Sequence, residues 1–340
     1  MQSSRFREKS TDPETSAIPT SSLLLDFLKE QSFDDGKALN NSQSPQFRAY
    51  SWLLDNSDLN EYSEKQLLQR YSLATLYYAT SGDQWLANTF WLSNFKECYW
   101  FGRTGSKKRC NKKGEVIHLE LDLNNLKGSL PPELGLLSSS LESISLSGGP
   151  NSDLVGTLPS ELGHLTRLKV LNVRNNDLSG TIPFEIENLK RLEKIDLSQN
   201  RFRGEIPTQI GALSNLRVLD VSLNYLSGNL PTELGRLKRC QTMSLEDNTL
   251  VSTIPTEIGK LRELELLKAG FNEFDLLPTE LGALKSVDFI SFQNCGIAGT
   301  IPTELGNLRK LRKFNRIHLN LGCFSPRRLP FCTDFFFFSA

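Results

Sequence analysis

From Leu168 to Leu264 the apolar positions follow the phrase L-x-x-L-x-L-x-x-N-x-L-x-G-x-I-P-x-E-I-x-x-L, repeated at a fixed step of 24 residues. Asn176, Asn200, Asn224, Asn248 and Asn272 mark the step, and Asn124 holds the same place in the first unit. A period this long predicts a solenoid, because one unit cannot bury its own apolar face and must stack on its neighbours. Units open at Val116, Leu141, Leu168, Leu192, Leu216, Cys240, Leu264 and Val287, with a ninth at Leu311. In each, an alternating apolar pair such as Leu171-Asn172-Val173 predicts a short strand. The strands should form one parallel sheet on the inside of a right-handed arc. The asparagine follows the strand, where its amide can satisfy backbone groups that have no regular ladder. Cys295 takes its place in the eighth unit. A Glu-Ile/Leu-Gly/Glu segment with a final leucine then closes the outer side as a short 3₁₀ or helical turn.

Upstream the period changes. Ser44-Pro45 reads as an N-cap followed by proline at the first helical position, with Phe47, Tyr50, Leu53 and Leu54 at helical spacing. Ser63-Glu64-Lys65-Gln66 is a capping box that opens a second helix, which Ser81-Gly82 ends. Residues 44–115 are therefore expected to cap the first apolar cross-section. Residues 116–310 are the eight units, and 311–340 a degenerate last unit or a C-terminal cap in which Cys323 and Cys332 could pair. Residues 1–43, rich in Ser, Thr, Asp and Gln, read as a disordered tail.

Composition adds mostly exclusions. Lys+Arg and Asp+Glu both total 39 in the 340 residues, so no global field favours nucleic acid or an anionic membrane. No run reaches the length of a membrane span, and Leu23 to Leu28, broken by Asp26, is too short for a signal-peptide core. Cys98 and Cys110 bracket the entry to the first unit: a disulfide across a hairpin if the chain is exported, two buried thiols if it is not. Between and beyond them Arg103, Lys107, Lys108, Arg109, Lys112 and Lys113 form either a solvated basic loop or an anion patch. His118, His164 and His318 lie at no metal-ligand spacing, and kinase motifs are absent, so no metal, cofactor or catalytic residue is expected. Glu161, Glu185, Glu233, Glu257, Glu280 and Glu304 recur once per unit in equivalent settings, which suits architecture and not acid/base chemistry.

The phrases Gly299-Thr300-Ile301-Pro302-Thr303-Glu304-Leu305-Gly306 and Leu216-Arg217-Val218-Leu219-Asp220-Val221 resemble plant-type leucine-rich repeats. Trp91-Leu92, Cys98-Tyr99-Trp100-Phe101-Gly102 and Cys110 resemble the N-terminal cap of that family. The resemblance covers about residues 44 to 315. It implies an α/β solenoid like the extracellular parts of receptor-like proteins and receptor-like kinases, and of secreted inhibitors of polygalacturonase. Three departures stand out: extra residues at 148–153, a 23-residue unit with Asp275-Leu276-Leu277-Pro278, and loss of pattern after Phe314.

Individuality should lie on the concave face, where side chains between the inward leucines point outward. Val170, Val218, Leu266 and Phe289 hold the place before the central leucine, Lys268 the place after it, and Leu223 and Phe271 follow the strand. Leu266, Phe271 and Phe289 should gather in the open as an anchor for a protein or peptide. The expected function is non-enzymatic recognition at the cell surface. An intracellular scaffold and a truncated receptor-kinase ectodomain are the alternatives.

Overall fold

The computed structural model describes residues 21–56, 59–101, 109–298 and 300–315. Nine parallel three-residue strands, from His118–Glu120 to Lys313–Asn315, lie side by side in sequence order. Each strand buries its central residue, for example Leu171, Leu219 and Ile290, and the register is one residue to one residue throughout. The ninth strand extends the sheet, because Phe314 still supplies a buried central side chain next to Ile290.

The sequence pattern did not reveal a second sheet. Five short parallel strands, among them Arg201–Gly204, Tyr225–Asn229 and Thr249–Ser252, pair just after the asparagines. A separate pair joins Lys127–Ser129 to Asp153–Val155. Glycines such as Gly204 and Gly228, at φ of 78° and 75°, break the alternation that would have announced them. The short 23-residue unit still contributes Glu273–Phe274, at the end of the five-stranded sheet.

The outer side is a stack of 3₁₀ turns such as Thr232–Arg236 and Thr256–Lys260. Each begins after a proline, and most bring a glycine against the next turn; Glu187 stands in that place in Phe184–Asn188. A Cβ on Gly235 would lie 2.6 Å from the Glu257 carbonyl oxygen, so the neighbouring turn would have to shift to admit it. Gly235→Ala should therefore lower stability by about 2 kcal/mol in urea denaturation. Gly306→Ala, where nothing lies within 4 Å, should be close to neutral. The recurrent glutamates occupy this side. Ser160, Thr232, Thr256, Thr279 and Thr303 hydroxyls reach the carboxylate that follows each of them.

The asparagine column is satisfied as its position demands. Asn224 Nδ2 donates to the carbonyls of Leu197, Val221 and Ser222, and its Oδ1 accepts from the Phe202 N–H. Asn200, Asn248 and Asn272 repeat this pattern. Cys295 keeps only the donor half, giving its thiol to the Ala269 carbonyl at 3.1 Å. The insertion at 148–153 interrupts the column. Asn176 still donates to Leu146, Val173 and Arg174, but its buried Oδ1 has no partner, and Asn124 lacks a partner for its buried Nδ2.

The N-terminal block has three helices: α1 (Ser21–Gln31), α2 (Pro45–Asn56) and α3 (Glu64–Ala79). The Ser44 hydroxyl accepts from the Phe47 N–H, and Ser63 with Gln66 forms the full capping box, both as the sequence predicts. α1 corrects the expected tail. Leu24 and Leu28, four residues apart, share one helix face and are fully buried, and the Phe33 ring stacks on His164 at 5.3 Å. Order therefore begins well before residue 43. Cys98 and Cys110 are bonded, and Trp52, Trp85, Trp91 and Trp100 pack with Tyr77 and Phe101 into an aromatic core over the first unit. Cys323, Cys332, His318 and the final phenylalanines lie outside the described residues.

Candidate recognition surface

Strand pairing sorts the concave side chains into rows. Before the central residue, Val170, Lys194, Val218, Thr242, Leu266, Phe289 and Lys313 follow one another in register. After it come Asn172, Asp196, Asp220, Ser244, Lys268 and Ser291. A third column precedes the asparagines and includes Leu123, Asn175, Gln199, Leu223, Asp247, Phe271 and Asn294.

The expectation that Leu266, Phe271 and Phe289 form one open cluster needs correcting. Leu266 and Phe289 are direct neighbours but half-buried, because adjacent side chains in a parallel sheet cover one another and the Lys313 ammonium sits 5.4 Å from the Phe289 ring. Phe271 lies three residues past its strand, on the opposite border of the sheet. Val170, Val218 and Lys268 are also half-buried. The arrangement is two apolar borders separated by a polar floor. Parts of that floor are tight: Asp196, Ser244 and Ser291 are buried, and the Ser291 hydroxyl has no partner.

The column before the asparagines is conformationally unusual. Leu123, Asn175, Gln199, Leu223, Asp247, Phe271 and Asn294 all have φ between 53° and 57°. Asparagine and aspartate tolerate this left-handed region, whereas leucine and phenylalanine do not. Leu223 is nevertheless 43 % exposed, Phe271 44 % and Leu123 61 %. Leu123 was missed in the sequence, although it fills the same position relative to Asn124.

The floor is acidic at its centre. Asp196 accepts from the Ser198 hydroxyl at 2.6 Å and faces the Lys194 ammonium at 3.5 Å, and Asp220 accepts from the Ser222 hydroxyl at 2.6 Å. Burial holds the Glu246 carboxyl above the usual carboxylate range. Lys268, 3.8 Å away, opposes that shift, and Asp220 and Asp247 add to it. No group of three His, Cys, Asp or Glu among the described residues is placed to hold a metal. Of the basic loop, Arg103, Lys107 and Lys108 lie outside the described residues; the Arg109 guanidinium lies over the Phe101 ring and donates to the Glu120 carbonyl.

The Leucine Rich Repeat family model matches residues 167–189, 191–213 and 215–237, inside a stack of units that share one fold. The chain carries leucine-rich repeats there. Over 91 residues it is 36 % identical to the LRR receptor-like serine/threonine-protein kinase RGI3 of Arabidopsis thaliana, covering 27 % of this chain and 7 % of that protein. Among solved structures, a TDR receptor matches 59 % of this chain at 38 % identity and a TM-score of 0.56. The leucine-rich-repeat ectodomain of the plant membrane receptor kinase GASSHO1/SCHENGEN3 from Arabidopsis thaliana matches 66 % at 28 % identity and 0.52. The chain spans about a third of each of those structures. No helix among the described residues is long and apolar enough to cross a membrane.

Proposed function

We propose that this leucine-rich-repeat chain is a non-enzymatic recognition module whose concave face takes a protein or peptide, and that it works outside the cytoplasm. The observation that carries the reading is the placement of Leu223 and Phe271. Each is unfavourable twice, in a left-handed backbone where the neighbouring units place Gln199, Asp247 and Asn294, and with apolar surface in water. Strain combined with exposure is what a contact residue retains. Between the borders, Asp220 and Glu246 offer acceptors for an extended chain, and the stacked units form a preformed surface that needs little rearrangement. The GASSHO1/SCHENGEN3 ectodomain was solved in complex with CASPARIAN STRIP INTEGRITY FACTOR 2, which supports a binding role for the shared architecture. The Cys98–Cys110 bond supports an oxidising compartment over the intracellular scaffold.

Replacing both residues with asparagine, Leu223→Asn with Phe271→Asn, is expected to raise stability by about 1 kcal/mol through relief of strain. The same change should remove peptides selected on the wild-type chain from a displayed library. Selected peptides that bind the double variant equally well would move the site elsewhere on the molecule.

A further inference from the structure

One asparagine stands apart from the buried column. Asn40 ends the short turn Ala38–Asn40 between α1 and α2, and Asn40, Asn41 and Ser42 are all exposed. The Asn40 carboxamide makes no hydrogen bond among the described residues. The backbone around it is pinned. Leu39 is buried, and the buried Ser44 hydroxyl lies 2.6 Å from the Ala38 carbonyl and 2.8 Å from that of Asn41. This segment runs along the first two outer turns: Phe33 stacks on His164 before it, and Gln46 donates to Glu133 after it. The amide is therefore presented on the outer side of the solenoid, away from the concave strands.

Asn40-Asn41-Ser42 is also the one place in the chain where serine or threonine stands two residues after an asparagine. The repeats exclude that arrangement physically. Two residues after each asparagine of the column comes a fully buried apolar side chain, such as Phe202, Leu226 or Phe274. A hydroxyl there would be buried without a partner, and the carboxamides themselves are spent on backbone carbonyls.

We propose that Asn40 carries an N-linked glycan. The site requires the compartment outside the cytoplasm proposed above, where the Cys98–Cys110 bond forms. The donor is a lipid-pyrophosphate-linked oligosaccharide. Asn40 Nδ2 forms a bond to the anomeric carbon of the first sugar and gives up one proton. The bond from that carbon to the pyrophosphate oxygen breaks, and the pyrophosphate leaves with the electron pair. Ser42 supplies the hydroxyl by which the transferring enzyme recognises the triplet. On the finished protein the glycan stands over the outer side of the N-terminal block and leaves the concave rows open.

The test directs the full chain into the secretory route of a eukaryotic cell behind a cleavable leader and measures its intact mass. Wild type should lose mass on treatment with peptide N-glycosidase, which leaves aspartate in place of Asn40. Asn40→Gln and Ser42→Ala should each abolish that loss, whereas Ser42→Thr should keep it. Asn40→Gln should also bind peptides selected on the wild-type chain equally well, since the glycan lies off the concave face. A wild-type chain with Cys98 and Cys110 bonded and no mass removed by the enzyme would overturn the proposal alone. An unglycosylated chain with both thiols free would sink the compartment and the glycan together. A mass loss retained in Ser42→Ala, or peptide capture lost in Asn40→Gln, would overturn the assignment to this turn.

Discussion

Glu97→Ala should destabilise the N-terminal cap by about 3 to 5 kcal/mol, the largest effect expected of any single substitution in the described residues. Its partner Arg70, on α3, has no exposed surface. Arg70 Nη1 donates to Glu97 Oε1 at 2.5 Å and to the Phe95 carbonyl, and Nη2 donates to the Ser93 carbonyl. The guanidinium also lies within 5.4 Å of the ring centres of Trp52, Tyr62 and Trp100. Gln69 completes the unit by donating to Glu97 Oε2 and accepting from the Val116 N–H, where the first repeat begins. Removing the carboxylate leaves a cation enclosed by aromatic faces with no counter-charge. Replacing both partners, Arg70→Met with Glu97→Met, should recover much of the loss, since a buried pair exchanged for apolar side chains is often neutral. Urea denaturation followed by tryptophan fluorescence reports on this block, because the four tryptophans of the chain all lie in it. A loss under about 1 kcal/mol for Glu97→Ala would show that water or a second carboxylate reaches Arg70.

The repeat core was legible because stacking forces the same residue types to recur. A fixed period, Asn224 and its counterparts, and the proline before each outer turn all follow from one unit's geometry. What could not be read depends on contacts between units. Alternation places Leu266 and Phe289 on the concave side, but only strand register shows how far each covers the other. The second sheet was invisible because its strands are short and hold glycines. α1 was missed because Leu24 and Leu28 are few, and the surface they bury belongs to a distant part of the chain. The Arg70–Glu97 pair spans 27 residues with no pattern to connect them. Leu223 and Phe271 were visible as apolar side chains, but their left-handed backbone was not.

The same cap carries a pH dependence of opposite sign to ordinary acid denaturation. Glu133, in the first outer turn (Pro132–Leu137), is 2 % exposed, and burial pushes its carboxyl up to about 7. Gln46 from α2 donates to it at 3.1 Å, which works against the shift, whereas Asp34 after α1 and Glu161 in the next turn add to it. From α3 come Tyr71, whose phenol its own burial and then Glu133 push up, and the Ser72 hydroxyl, which donates to the Glu133 carbonyl. No cation appears among these influences. The folded state therefore holds a proton that the unfolded chain releases near 4.5. Between those two values the folded form binds more protons, so stability falls as pH rises. The contribution is complete below about 4.5, declines through the interval and is gone above about 7. A shift of this size corresponds to about 3 kcal/mol. Comparing wild type with Glu133→Gln at pH 5 and pH 8 isolates the group, since the lowered carboxylates Glu115, Glu142 and Glu257 are common to both proteins. Glutamine imitates the neutral carboxyl, so the two proteins should match at pH 5 and the variant should be more stable at pH 8. Equal stabilities at both values would mean that Glu133 ionises without hindrance, and that α1 and the loop after it do not seal the first outer turn from water.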